Sequence, residues 1–406
     1  MGTKWFKEIS QFGLTCNDGD DVWFVGDRYS FIFQMSLKSS SVKRIVRIKG
    51  EKFNIVRKYW RLEKAGNKLF LIPCNSDKIV IFHIDVDRFS FIELKKALVN
   101  CLSSVKEGNV LYLIDEYEII VIDTEHEQTL EYIPIPDYGK LMSEVALWID
   151  GHIIIPLIFQ SGVIDFCIAE KSFCYVEFEG MFNGFVTGVA DGRDIWLAGD
   201  QGSIVRWNYI SKETTIYDSP PAGFESFNYD IKGNFISWGL GWTQGVSFQY
   251  WYACFLLNDK IWFIPQMSNS LLYIDKKSNS IQKFTFNNEN ETDITVRYHR
   301  NVKFLLVGIY KKQYIKIYSK KRDIIYSIDS MNLECTEENI NIDSIEVESV
   351  EKEYLDHLNK VAVYSGLWEN SNISIEELAV LVSMNHADNG GDSVKESVGK
   401  NVYMTF

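Results

Sequence analysis

The chain lacks what would announce a membrane, nucleic-acid or secreted role. No apolar run approaches the roughly 20 residues needed to cross a bilayer, and the start, Met1-Gly2-Thr3-Lys4-Trp5-Phe6-Lys7-Glu8, has no apolar stretch of the kind a secretory leader carries. Met1-Gly2 does not open a myristoylation motif either, because Phe6 stands where Ser or Thr is required. No basic run exceeds Lys320-Lys321-Arg322, and the formal net charge is −13, so nucleic acid and anionic membranes are both poor partners. The seven cysteines are scattered without a CxxC pair; the expectation is buried free thiols in a reducing cytosol, with Cys167 and Cys174 the one pair placed to meet across a hairpin. Histidine is scarce, at six residues, and no HExxH, GxSxG or Cys/His motif appears. Catalytic residues, metal ligands and cofactors are therefore not assigned. Asp388-Asn389-Gly390-Gly391-Asp392 lacks the ligand spacing and closing Glu of a calcium loop and reads as a turn between helices.

What the chain does have is aromatics, 11 Trp, 21 Tyr and 26 Phe, which favour strands. Its 406 residues exceed one ordinary core, leaving several domains or one repeat array. A repeat is present. Asn67-Lys68-Leu69-Phe70-Leu71-Ile72-Pro73 closely matches Asn258-Asp259-Lys260-Ile261-Trp262-Phe263-Ile264-Pro265, and Asp150-Gly151-His152-Ile153-Ile154-Ile155-Pro156 follows the same pattern. Anchors at Trp23, Phe70, Leu111, Ile153, Trp196, Trp262 and Phe304 are separated by 47, 41, 42, 43, 66 and 42 residues. A period near 42 fits four short strands with their turns. A following strand recurs as Ile79 to Phe82, Ile119 to Asp123, Gly162 to Phe166, Ser203 to Trp207 and Tyr314 to Tyr318, with polar turn residues between strands.

Many of these strands are apolar at nearly every position, which implies sheets covered on both faces. Small sheets stacked around an axis satisfy that demand. The expected fold is all-β: a single β-propeller over residues 1–330 with seven four-stranded blades, six or eight being the alternatives one slipped repeat would give. The pattern of turn, Ile/Leu-Trp/Phe, turn and Leu-x-x-Ile-Asp resembles the broad propeller superfamily that includes kelch-like, NHL-like, two-component-regulator-type and streptogramin-lyase-like repeats. The kelch Gly-Gly pair and a Trp-Asp signature are absent, so no subfamily is assigned. In such folds the strand before the anchor is innermost, which places segments near Leu14, Trp60 to Leu62, Leu102 to Val105, Val145 to Trp148, Phe185 to Val189, Ala253 to Leu257 and Val296 to Tyr298 around the axis. Trp5 to Ile9 reads as an outermost strand that closes the ring beside Tyr314 to Tyr318.

One interval is too long. The excess falls at Asp218 to Trp251, between an outer strand and the next inner one, on the face that also carries the loops between second and third strands. Long loops on a rigid scaffold tend to be functional. Trp238, Trp242, Tyr250 and Trp251 offer aromatic platforms for a sugar ring or a peptide side chain, the plainer reading being that they pack the insertion onto the blades. Arg28, Tyr29, Tyr117, Gln160 and Gln266 lie in loops of the same face, where each also reads as an ordinary turn residue. Arg61, near an inner strand, either binds an anion or pairs with a neighbouring carboxylate.

Residues 331–406 read as a C-terminal extension with two short helices. Ser374-Ile375-Glu376-Glu377 fits a capping box before Leu378, Val380, Leu381 and Met384, and a second helix begins at Ser393. Their apolar stripes need cover, on the propeller rim or in a docking contact. The function expected is that of a cytoplasmic, non-enzymatic scaffold that binds a protein, peptide or glycan partner at the face bearing residues 218–251. The alternative is a lyase or hydrolase working at the channel mouth with a divalent cation, as the streptogramin-lyase resemblance implies; its histidine motif has no residue-by-residue counterpart here.

Overall fold

The computed structural model describes residues 15–26, 31–48, 59–74, 76–98, 103–138, 141–143, 145–158, 160–179, 184–199, 202–229, 235–240, 251–265, 268–289 and 303–342. Seven antiparallel sheets, each of four strands in chain order at its core, follow one another along the chain. Their first strands neighbour one another across successive blades and so surround the axis. The fold is a seven-bladed propeller, all-β throughout the described residues. The two expected tail helices lie outside the described residues.

Burial explains why the second and third strands are apolar throughout. In blade 6, Trp262 and Ile264 pack with Ile315, Ile317 and Tyr326 of blade 7. Their alternate neighbours, Ile261 and Phe263, pack with Trp196, Ala198 and Ile204 of blade 5. Period-2 alternation sends successive side chains to opposite sheet faces, and here both faces meet another sheet. The seven buried clusters are the seven seams between blades. Burying each large aliphatic or aromatic side chain contributes about 1.5–3 kcal/mol, so the stability of the ring is distributed over its seams.

One turn recurs seven times. Ser40, Asp87, Glu127, Lys171, Lys212, Asn279 and Leu333 each take a positive φ of 51 to 63° just before the fourth strand of their blade. The first residue of each turn sends its N–H to the carbonyl of the inner hairpin turn: Leu37 to Asp20, Ile84 to Asn67, Thr124 to Asn109, Ile168 to Gly151, Tyr209 to Arg193, Lys276 to Asp259 and Ser330 to Gln313. Where the third strand ends in Asp or Asn, that side chain caps the turn: Asp123 Oδ1 accepts from the N–H groups of Glu125 and His126, and Asp275 Oδ1 from Lys277 and Ser278. This is the reason for the repeated Ile-Asp in the sequence: the carboxylate satisfies backbone donors that the tight turn leaves open.

Blade 7 differs from the sequence reading. Phe304 lies in the innermost strand, Phe304–Tyr310, one strand earlier than its six counterparts, and Val296 to Tyr298 lies outside the described residues. The second and third strands are Tyr314–Ser319 and Ile324–Asp329. The inner strands of blades 2 and 3 carry charged and polar residues, whereas this one is apolar enough to pass for a second strand. The fourth strand, Cys335–Asn339, is polar and mostly exposed, and it carries the last blade past residue 330. That strand occupies the outer position of blade 7. The expected closing strand, Trp5 to Ile9, lies outside the described residues. Instead, Asn341–Ile342 pairs in parallel with Ser41 and Val42 on the outer edge of blade 1. Ile340, buried between blades 7 and 1, joins Val42, Val307 and Ile325. Cys167 and Cys174 do not meet either: the register sets Cys167 opposite Ser172 and Cys174 opposite Asp165.

Candidate functional site

Two places stand out against the repeating scaffold, one at each end of the axis. The first is the insertion. Between the fourth strand of blade 5, Thr214–Tyr217, and the first strand of blade 6, Trp251–Leu257, the chain forms a separate hairpin from Glu225–Tyr229 and Phe235–Leu240 that belongs to no blade. Its base is fixed. Phe224 is buried in the seam between blades 5 and 6, and Lys283 Nζ donates to the Gly223 carbonyl at 2.5 Å. Trp238 stands in this hairpin, opposite Phe227 in register. Trp251 is different. It opens the inner strand of blade 6, is 1 % exposed, and packs its ring 5.5 Å from that of Phe263. It is a core residue of blade 6. Trp242 and Tyr250 lie outside the described residues.

Tyr117 and Gln160 are on the same face, in the loops between second and third strands of blades 3 and 4. Tyr117 is 64 % exposed, with Lys96 Nζ 5.7 Å from its ring centre. Gln160 is partly exposed, and its carbonyl accepts from the Gly162 N–H at 2.8 Å. Arg28, Tyr29 and Gln266 lie outside the described residues. Arg61 sits on the inner strand of blade 2, Tyr59–Ala65. Its guanidinium reaches the carbonyl and hydroxyl of Ser104 on blade 3, each at 3.4 Å, and that hydroxyl donates to Glu63 Oε1 at 2.6 Å. Burial pushes the Glu63 carboxyl above the usual carboxylate range, and the Arg61 charge and the Ser104 bond pull it part of the way back. Arg61 is thus committed to a network with a neighbouring carboxylate.

The second place was not singled out by the sequence. At the opposite end of the axis, between blades 2 and 3, a cleft of ≈ 420 Å³ opens among four turns. Lys68, the first residue of a second strand, crosses the seam: Nζ donates to the carbonyls of Thr124 at 3.2 Å and Glu125 at 3.0 Å and pairs with Glu127 at 2.7 Å. Asn67 donates to Asp85, and Asn109 Nδ2 to Glu125 Oε2 at 2.8 Å. Beside the cleft, Ser90 Oγ lies 2.8 Å from His83 Nε2 and 2.6 Å from Glu127 Oε2. These three residue types suggest a hydrolytic triad, but the connectivity does not make one. In a triad the carboxylate orients the histidine from its far ring nitrogen and the histidine accepts the serine proton. Here the serine proton goes to Glu127, so Nε2 must be the donor to Oγ, and the imidazole cannot act as the serine's base. Burial pushes the Glu127 carboxyl up, but hydrogen bonds from Lys68 and Ser90 outweigh it and hold the group below its usual range.

Two corresponding seams are closed by side chains. Between blades 4 and 5, Tyr209 packs 5.3 Å from the His152 ring, and both bond Asp165, His152 Nδ1 at 2.7 Å and the Tyr209 hydroxyl at 3.1 Å. Between blades 6 and 7, Asn258 Nδ2 reaches Ser330 Oγ at 2.7 Å and Lys260 Nζ the Ser330 carbonyl at 2.8 Å. Thr124 holds the register position of Tyr209, and its short side chain leaves the volume unfilled. A small residue after an Ile-Asp strand end does not by itself mark a cleft, since Ser330 follows Ile328-Asp329 in a seam that Asn258 and Lys260 close. Among the described residues, no three His, Cys, Asp or Glu side chains converge as a cation site.

No known protein-family model matches this chain, and no curated protein matches it. Solved structures do resemble it. A streptogramin B lyase structure aligns with a TM-score of 0.55 at 14% identity, covering 76% of this chain and 90% of that one. Virginiamycin B lyase from Staphylococcus aureus aligns at 0.53 and 10% identity, covering 76% and 91%. PorZ, a bacterial surface component of the type-IX secretion system of Porphyromonas gingivalis, aligns at 0.52 and 10% identity, covering 80% of this chain and 38% of its own. At these identities the likeness is one of fold.

Proposed function

We propose that this chain is a non-enzymatic binding propeller that takes a protein or peptide partner, or a glycan, at the face bearing the hairpin Glu225–Tyr229/Phe235–Leu240. The observation that carries this reading is the hairpin itself. The seven blades are complete without it, yet it is anchored to the blade 5–6 seam by Phe224 and Lys283. A rigid ring with an extra aromatic-bearing element at one mouth is the usual layout of a loop-borne recognition site. The proposed compartment is the cytosol, in keeping with scattered cysteines that form no CxxC pair in the sequence. The fold serves both roles in its neighbours, an enzyme in the lyases and a secretion-system component in PorZ. The lyase or hydrolase reading stays second, because no observation on the described residues favours it. The test is affinity capture with immobilised protein. Trp238→Ala combined with Trp242→Ala is expected to remove the partners retained by the unsubstituted protein while leaving its thermal midpoint unchanged. Unaltered capture would overturn the site.

A further inference from the structure

We propose that the cleft between blades 2 and 3, at the end of the axis opposite the hairpin, is a receptor for a guanidinium group, the side chain of an arginine presented by a peptide. The inference is separate from the partner site at the hairpin and uses none of its residues.

The argument starts from what the polar groups have left to offer. The donors around the cleft are largely consumed. Lys68 Nζ already directs its three hydrogens at the Thr124 and Glu125 carbonyls and at Glu127. Asn67 and Asn109 each place an amide N–H on a carboxylate, of Asp85 and Glu125 respectively. The Thr124 hydroxyl donates to the Asn109 carbonyl at 2.9 Å. Acceptors remain. Each carboxylate spends one oxygen on its asparagine and keeps the other, and each asparagine keeps its amide oxygen and its second N–H. One such pair, Asn67 with Asp85, comes from blade 2, and the other, Asn109 with Glu125, from blade 3. Acceptors contributed by exposed turns of both blades suit a planar group with five N–H donors better than the three-donor ammonium of lysine.

The rim supplies the apolar half of such a side chain. Val86, in the blade 2 turn, lines the same cleft and is 64 % exposed. An arginine lays its methylene stem along apolar surface while its head is bound. The volume is also not accidental to the fold. The equivalent position in blade 5 is filled by Tyr209, and in blade 3 it is left open by Thr124.

The experiment titrates the whole chain by calorimetry with N-acetyl-arginine methylamide, its citrulline counterpart, which is near-isosteric but uncharged, and its lysine counterpart. Saturable binding of the arginine compound is expected, with citrulline and lysine each at least tenfold weaker. Asp85→Asn combined with Glu125→Gln is expected to weaken it tenfold or more. Thr124→Tyr, which fills the cleft as Tyr209 fills its own seam, is expected to abolish it with the far-ultraviolet spectrum and thermal midpoint retained. If Thr124→Tyr does not fold, the paired isosteric variant alone carries the test. Absence of saturable arginine binding, equal binding of citrulline or lysine, or undiminished binding by either variant that folds would overturn the assignment. Trp238→Ala should leave the arginine affinity unchanged, so failure here is distinguishable from failure at the hairpin face.

Discussion

Single residues show where this scaffold carries charge inside. Glu289 and Lys303 are buried together at the blade 6–7 seam, with side-chain exposures of 0% and 7%, and pair at 3.0 Å. Ser319 Oγ and the Tyr326 hydroxyl also donate to Glu289, at 2.6 and 3.1 Å. Burial pushes the Lys303 amine below its usual range, against the pull of Glu289. Breaking such a pair leaves one uncompensated charge in the interior. Lys303→Met is therefore expected to cost about 3–5 kcal/mol in urea unfolding, and adding Glu289→Leu to recover most of it. A double variant as unstable as the single one would show that the pair itself, not the orphaned charge, supplies the stability.

Glu63 tests the same physics by pH. Its carboxyl is raised in the folded state, chiefly by burial. A raised acid binds more protons folded than unfolded, so stability falls as pH rises from the unfolded value, about 4.3, through the folded one. Glu63→Gln, which keeps an acceptor for Ser104, is expected to raise the thermal midpoint at pH 7 to 8. That advantage should shrink as pH falls towards about 4. Melting curves across this range decide it, and a constant difference would sink the account.

At the scale of elements, the turn before each fourth strand is the unit of repetition, and the hairpin of 225–240 is the exception to it. Among the described residues the hairpin pairs only with itself, and its anchor, Phe224, precedes it. Replacing residues 225–240 with a short glycine-serine linker that keeps Phe224 is expected to change stability by about 1 kcal/mol or less, since loop-length entropy grows slowly. A large loss in differential scanning calorimetry would mean that the hairpin also supports the ring.

For the whole molecule, the question is how the ring closes. Among the described residues, blade 1 takes four strands from Cys16 to Arg47 and a fifth, Asn341–Ile342, on its outer edge, and blade 7 takes its four strands from Phe304 to Asn339. Closure rests on the seam core and on a short addition. Ile340 enters the core, the Asn341 N–H bonds the Ser40 carbonyl at 3.0 Å, and Ser40 bonds Glu338. Lys316 Nζ pairs with the same Glu338 at 2.5 Å. Ile340→Ala is expected to cost about 2–5 kcal/mol, the range for a buried isoleucine. It should also expose blade 1 or 7 to limited proteolysis before blades 3 and 4, and uniform cleavage would count against closure at this seam.

The legible part of the sequence was the part that repeats. Spacing near 42 residues, apolar second and third strands, and the Ile-Asp strand ends are demanded by local turn chemistry and by burial on both sheet faces, and each leaves a mark in every blade. Trp262 marks its strand because each second strand must fill a seam. The departures were misread where composition imitates another position: an inner strand as apolar as Phe304–Tyr310, and an outer strand as polar as Cys335–Asn339. The role of Trp251 was equally out of reach, since a tryptophan reads the same whether it lines a loop or opens a buried strand. A seven-unit β-propeller with one long insertion can be read from the chain alone, because those features are periodic and local. The ring closure at Ile340, the contacts of Arg61 with Ser104 beside Glu63, and the cleft above Thr124 emerge from the packing of blade on blade. Each of these depends on what a neighbouring blade brings to the seam, at separations along the chain where no local pattern records it.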